Sequence, residues 1–60
     1  MDRYTAVGIA EGFISAENED QVLQAWQFLV DTGLAWQLQG FFGRTANNLI
    51  EAGMINPKVD

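Results

Sequence analysis

The clearest pattern of apolar and polar positions lies between Asn18 and Asp31. Polar residues recur there at helical spacing and form one narrow stripe: Asp20, Gln24, Gln27 and Asp31. From Val22 to Val30 every position outside that stripe is apolar, so the apolar surface covers well over half of the helix circumference. Because one neighbouring helix cannot cover so wide a surface, the pattern predicts a third helix or a second subunit.

Both ends of this helix carry residues that commonly end helices. Asn18 can cap the first turn, and Gln21 three residues later can complete a variant of the capping box. The acidic pair between them places negative charge near the positive end of the helix dipole. Gly33 suits the left-handed residue that follows a helix.

The segment before this helix, residues 4–15, fits a helix slightly better than a strand. Its apolar residues follow helical spacing, but Gly8 and Gly12 each disfavour a helix by up to about 1 kcal/mol relative to alanine. Alternate positions do not separate into apolar and polar faces, as a strand would require. We expect a short helix, with a strand as the alternative.

A second helical pattern runs over 34–52 and is interrupted by Gly40 and Gly43. One interpretation is a short helix over 34–39 that ends at Gly40, followed by a helix that begins near Thr45, whose hydroxyl can cap it. The other is one continuous helix in which the two glycines form a notch for a closely approaching backbone. The cost of glycine inside a helix favours the broken form.

The end of this pattern is better marked. Gly53 fits the position after a helix, and Met54 can pack back on Leu49 as in a Schellman motif. Pro57 then prevents the helix from resuming. We expect residues 56–60 to form a frayed tail.

These elements predict one all-α domain over residues 1–60, a small bundle of two to four helices. The chain has no cysteine, so neither a disulfide nor a thiolate zinc site can stabilise it. A domain of this size buries only about 60% of the surface that its unfolded chain exposes, yet 48% of its residues are hydrophobic. We therefore expect a homo-oligomer, with dimerisation completing the bundle.

The charge excludes several classes of function. The net charge is −5, and the three cations Arg3, Arg44 and Lys58 are dispersed, whereas unaided binding to a DNA duplex needs clustered Lys and Arg. No apolar run approaches the ~20 residues of a membrane span, and the N-terminus lacks a signal-peptide pattern. We expect a cytoplasmic protein that does not bind membranes, and the charge disfavours binding to nucleic acid.

Catalytic chemistry is poorly represented. The chain lacks histidine and cysteine, and acid–base catalysis by Glu11, Asp31 or Glu51 would require burial or a charged neighbour to shift a carboxyl pKa. The acidic run over 17–20 lacks the spacing of a calcium-binding EF-hand loop. We expect no enzyme activity, no catalytic residue, no metal and no cofactor.

The aromatic residues are concentrated between Ala25 and Arg44, which hold five of the seven. Trp26 and Trp36 lie ten residues apart on either side of the predicted turn. In a hairpin of two antiparallel helices they would lie at nearly the same height along the helix axes. Each fits the core, and each also fits an interface, where aromatic residues and Arg are enriched. Because sixty residues cannot bury all seven, we name these interface candidates: Trp26, Trp36, Gln37, Gln39, Phe41, Phe42 and Arg44.

The segment 43–55 weakly resembles the second helix of a helix-turn-helix unit. Asn47 and Asn48 could read adenine edges, but only Arg44 is nearby for phosphate contact. The pattern favours an ordinary amphipathic packing helix over a recognition helix. Arg44 can pair with Asp31 or Glu51, or remain a free surface cation.

Two segments are similar to a group of short, mostly uncharacterised proteins of tailed bacteriophages, including phages of cyanobacteria. They are AEGFI at Ala10–Ile14 and AWQFLVDTGLAWQLQGFFGRTANNLIEAGMI at Ala25–Ile55, and the DTGLAWQLQG core is specific. Those proteins more often have a tryptophan at the position of Phe41, a conservative departure. The resemblance implies a viral origin and a location in the infected host cell, and it implies no activity, cofactor or catalytic residue.

We therefore expect a phage accessory protein, a homodimer, that binds a host or phage protein. An inhibitor of a host defence or regulatory complex would fit this description. The alternatives are a helix-turn-helix-like DNA-associated regulator and a virion or assembly component.

Overall fold

The computed structural model describes residues 1–58, which form three α-helices and one short 3-10 turn. In chain order the elements are α1 (Arg3–Glu11), α2 (Glu19–Asp31), the 3-10 turn (Leu34–Trp36) and α3 (Gly40–Glu51). The described residues contain no strand, so the predicted all-α fold is confirmed.

Helix α1 occupies the segment whose class the pattern left open, and it is shorter than 4–15. The Asp2 carboxylate caps it by accepting a hydrogen bond from the Thr5 backbone N–H at 2.7 Å. The helix ends because Gly12 adopts a left-handed conformation, with φ of 86°. The side chain of Ile14 then folds back over Gly8, where a Cβ atom would lie 2.7 Å from Ile14 Cγ1.

Helix α2 begins and ends where the sequence predicts. Asn18 Oδ1 accepts the Gln21 backbone N–H at 2.9 Å, which confirms the cap. The reciprocal bond is displaced by one residue, because Gln21 Oε1 accepts the N–H of Glu17 at 2.7 Å and not that of Asn18. Gly33 follows the helix with φ of 80°, as predicted.

The pattern over 34–52 is broken, but not where we predicted. The first piece is only the 3-10 turn, and α3 begins at Gly40 and not near Thr45, which lies inside the helix and does not cap it. Gly43 lies inside α3 and costs up to about 1 kcal/mol there, whereas Gly40 is only the first residue of the helix. Full burial of one Phe side chain stabilises by about 1.5–3 kcal/mol, so the burial of Phe42 in the core offsets much of this cost.

The core lies on both sides of α2. On one side α1 packs closely, and on the other the 3-10 turn and α3 pack more loosely, largely through the contact between the rings of Trp26 and Phe42. The buried residues are Ala6, Ile9, Ala25, Trp26, Leu29, Val30, Ala35, Phe42, Ala46 and Ile55. The third helix that the wide apolar surface of α2 required is therefore supplied within the chain.

The chain beyond α3 is held against α2. Backbone bonds from Met54 N to Leu49 O and from Gly53 N to Ile50 O, both 3.0 Å, form the predicted Schellman motif. Ile55 is then buried in the core.

The side chain of Gln27 extends this attachment by one residue. It accepts the N–H of Asn56 at 2.7 Å and donates to the Asn56 carbonyl at 2.9 Å. A side chain 29 positions away therefore holds the backbone of Asn56, the first residue of the predicted tail. Residues 59 and 60 lie outside the described part of the chain.

We predict that Gln27→Ala lowers the free energy of unfolding by about 1–2 kcal/mol, since two hydrogen bonds to the Asn56 backbone are lost. Urea unfolding measures this change, and hydrogen exchange should accelerate at the Asn56 amide. Gln24→Ala, at an exposed position of the same helix, is the control. Equal stability of the two variants would contradict the role of Gln27.

We also predict an acid-sensitive contribution from the cap of α1. Hydrogen bonds from the Thr5 backbone N–H and then the Thr5 side chain hold the pKa of the Asp2 carboxyl below its ordinary value of 3.8. A lowered pKa stabilises the fold above pH 3.8, and this stability is lost as the pH falls through the pKa of the folded state. Urea unfolding at a series of pH values measures this loss. Asp2→Asn should reduce the loss of unfolding free energy below pH 3.8, whereas Glu11→Gln, the control, should show the same loss as the wild type.

Candidate functional site

The structure divides the interface candidates into two sets. Trp26 and Phe42 are 5% and 3% exposed, so they belong to the core, although Trp26 also lines the inner wall of the open groove described below. The other candidates are exposed on the surface: Trp36, Gln37, Gln39, Phe41 and Arg44. The two tryptophans therefore have different environments.

Phe41 forms the outer edge of the aromatic cluster. Its ring centroid lies 4.3 Å from that of Phe42 and 6.3 Å from that of Trp26, with an edge-to-face angle of 86° to the indole. This geometry is favourable for aromatic pairs. Phe41 remains 37% exposed, so it joins the surface to the core.

Trp36 lies across the first turn of α3 and is 47% exposed. A Cβ atom on Gly43 would lie 3.5 Å from Trp36 Cδ1 and 3.6 Å from the carbonyl oxygen of Ala35. The glycine notch that we considered for a continuous helix therefore exists at Gly43, although the helix is broken. It is filled by the 3-10 turn of the same chain.

The guanidinium group of Arg44 lies over Gly40, where a Cβ atom would be 3.0 Å from Arg44 Nη1. It therefore points towards the start of α3 and away from Glu51, and Asp31 instead accepts a bond from Gln27. Neither predicted ion pair of Arg44 forms.

Trp36 and Arg44 cover neighbouring positions of α3. We call the surface formed by Trp36, Gly40, Gly43 and Arg44 the tryptophan–arginine face.

The outer face of α3 carries the groups that suggested a recognition helix. Asn47 and Asn48 are exposed, as is Glu51 one turn later. Lys58 lies elsewhere, near Gly33. This helix face therefore offers two amides but little positive charge.

Two open grooves are features that the sequence pattern did not reveal. The first, which we call the α2–α3 groove, has a volume of about 400 Å³ and is lined mainly by apolar side chains, among them Leu23, Leu49 and Met54. The second, the α1 groove, has a volume of about 280 Å³ and lies beside Tyr4 and Phe13. Both grooves depend on how separate elements pack, which the spacing of residues along one helix cannot reveal.

Within residues 1–58, no cluster of three or more His, Cys, Asp or Glu side chains is arranged to hold a metal ion. None of the helices described there combines the length and apolar character needed to cross a membrane.

Residues 8–60 match the family described as "Domain of unknown function (DUF7417)". The chain belongs to this family. The DUF7417 match begins inside α1 and includes α2, the 3-10 turn and α3. It contains every lining residue of the α2–α3 groove and those of the α1 groove from Gly8 onward. No curated protein and no solved structure matches the chain.

We predict that Gly43→Ala raises the free energy of unfolding by about 0.5–1 kcal/mol, because alanine favours the helix and its Cβ would make only ordinary contacts with Trp36 and Ala35. Gly8→Ala, also inside a helix, should raise the free energy of unfolding by less, because its Cβ would displace the side chain of Ile14. Urea unfolding compares the two variants. A destabilising Gly43→Ala would mean that the 3-10 turn lies closer to α3 than described.

Proposed function

We propose that this DUF7417 protein is an accessory protein of a tailed bacteriophage that acts in the infected host cell by binding a host or phage protein. The similarity of the DTGLAWQLQG segment to tailed-phage proteins supports the viral origin. Inhibition of a host defence or regulatory complex is the activity that such binding would produce.

Exposed aromatic side chains support a binding function. Tyr4 and Phe13 are each 82% exposed, and Trp36 and Phe41 are 47% and 37% exposed, so four of the seven aromatic residues remain at the surface. Single exposed apolar residues are ordinary. Aromatic residues are enriched in surfaces that bind proteins, and these four supply two such places, beside α1 and at the start of α3.

We further propose that the protein is a homodimer joined through the tryptophan–arginine face. Trp and Arg are the residues most often found at energetic centres of interfaces, and the uncharged Gln37 and Gln39 follow Trp36 on the exposed surface. The 3-10 turn packs on the second side of α2, and Trp26 of α2 is already buried there against Phe42, so the core needs no partner subunit at this point.

Binding would act by occlusion. A chain with a net charge of −5 associates faster with a basic protein surface than with an acidic one, because long-range attraction steers the encounter. An apolar contact then slows dissociation, and the bound phage protein covers a surface that the host protein needs.

We predict that the wild-type protein sediments as a dimer at micromolar concentration and that Trp36→Ala weakens the dimer at least about tenfold, as expected for an interface hot spot. Phe13→Ala removes another exposed aromatic ring outside the tryptophan–arginine face and is the matched control. A wild-type monomer at micromolar concentration would contradict the dimer, and an equal effect of both variants would contradict the proposed face.

Affinity capture with tagged protein from lysates of infected and uninfected host cells tests the binding function. We expect one specific host or phage protein to be retained. Absence of any specific protein would contradict the proposal. DNA binding that weakens steeply with salt would instead support the regulator, and detection in purified virions would support the assembly component.

A further inference from the structure

The α2–α3 groove lies beside the contact between the aromatic rings of α2 and α3. Trp26 and Phe42 meet with their ring centroids 5.8 Å apart. One turn nearer the start of α2 the two helices leave an open space of about 400 Å³, with Val22 on one side and Leu49 on the other. The groove therefore opens next to the contact of these two large rings, and Trp26 also forms part of its wall.

The groove presents apolar surface to solvent along its length. Leu23 of α2, Leu49 of α3 and Met54 after α3 line it, and Met54 is 53% exposed. Its volume lies within the range of about 300–1,000 Å³ seen for binding clefts. Because it is open along one side, it suits a row of side chains from a peptide better than a small molecule that must be enclosed.

The charges at the groove are negative. Among residues 1–58, Glu19 is the only charged residue that lines it, and no Lys or Arg does. Glu17 and Asp20 are exposed next to Glu19 in the chain. A second copy of this chain would bring another net charge of −5 to this acidic end, so charge complementarity favours a basic occupant over a second copy.

We propose that the α2–α3 groove binds an amphipathic helix of the partner protein. Apolar side chains at helical spacing would enter between Leu23 and Leu49, as in other helix-in-groove complexes. Flanking Lys or Arg residues would lie against Glu19 and Asp20. This inference rests on the proposed protein-binding function and identifies the chemistry of the segment that is bound.

Two synthetic peptides of about 18 residues, long enough to form a helix, test the inference. Both carry Leu on one helical face, and the remaining positions are Lys in one peptide and Glu in the other. We expect the Lys peptide to shift the NMR signals of Leu23, Leu49 and Met54, and to bind at least about tenfold more tightly than the Glu peptide, since like charges oppose binding.

Two matched variants separate a specific contact from general attraction. Glu19→Gln should weaken binding of the Lys peptide about two- to fivefold, the range of an exposed ion pair. Glu11→Gln changes the net charge equally but lies in the α1 groove, and it should leave the affinity unchanged. Met54→Gln should also weaken binding, because it removes apolar surface without shortening the side chain much.

Several results would overturn the inference. They are shifts confined to the α1 groove around Tyr4 and Phe13, equal affinity for both peptides, equal effects of Glu19→Gln and Glu11→Gln, or no binding of the Lys peptide at millimolar concentration. Self-association that shifts the signals of Leu23 and Leu49 would also overturn it, by making a second copy the occupant.

Failure of this inference can be distinguished from failure of the proposed function. If affinity capture retains a partner equally well with wild-type protein and with Met54→Gln, the protein binds a partner but not through this groove. If the Lys peptide binds the groove and capture retains no specific protein, the groove inference stands and the proposed function fails.

Discussion

The packing of Trp26 against α3 is the contact on which the rest of this small fold depends. The chain has no cysteine, so no disulfide joins α3 to α2, and the hydrogen bonds that Gln27 makes outside its own helix go to Asn56, beyond the end of α3. Backbone contact between these two helices is sparse, and the ring of Trp26 instead meets those of Phe41 and Phe42 at centroid distances of 6.3 and 5.8 Å. Burial of such large rings supplies the stability that the backbone contacts do not.

The same aromatic contact positions both candidate surfaces. Because Phe42 must reach Trp26, α3 begins at Gly40, and this start places Gly43 beneath Trp36. The tryptophan–arginine face is therefore a consequence of core packing. The α2–α3 groove lies one turn away from this contact, so both candidate surfaces lie where the small core ends.

The interface candidates show how far sequence reasoning reaches. It correctly indicated that sixty residues cannot bury seven aromatic side chains, since Tyr4, Phe13, Trp36 and Phe41 are exposed. It could not tell which aromatic residues would be buried, because Trp26 and Trp36 have similar local sequences. The protruding Phe13 was not among the candidates, although its position next to Gly12, where α1 ends, is a local signal that could have identified it.

The sequence by itself determined the features that depend on neighbouring residues: the cap at Asn18, the left-handed glycines at 33 and 53, and the end of α3. These involve residues within a few positions of one another, so local chemistry suffices. Only the tertiary structure decided the start of α3, the attachment of Asn56 by Gln27, and the grooves. Each of these depends on contacts between residues far apart in the chain, whose energies can override local preferences such as the cost of glycine in a helix.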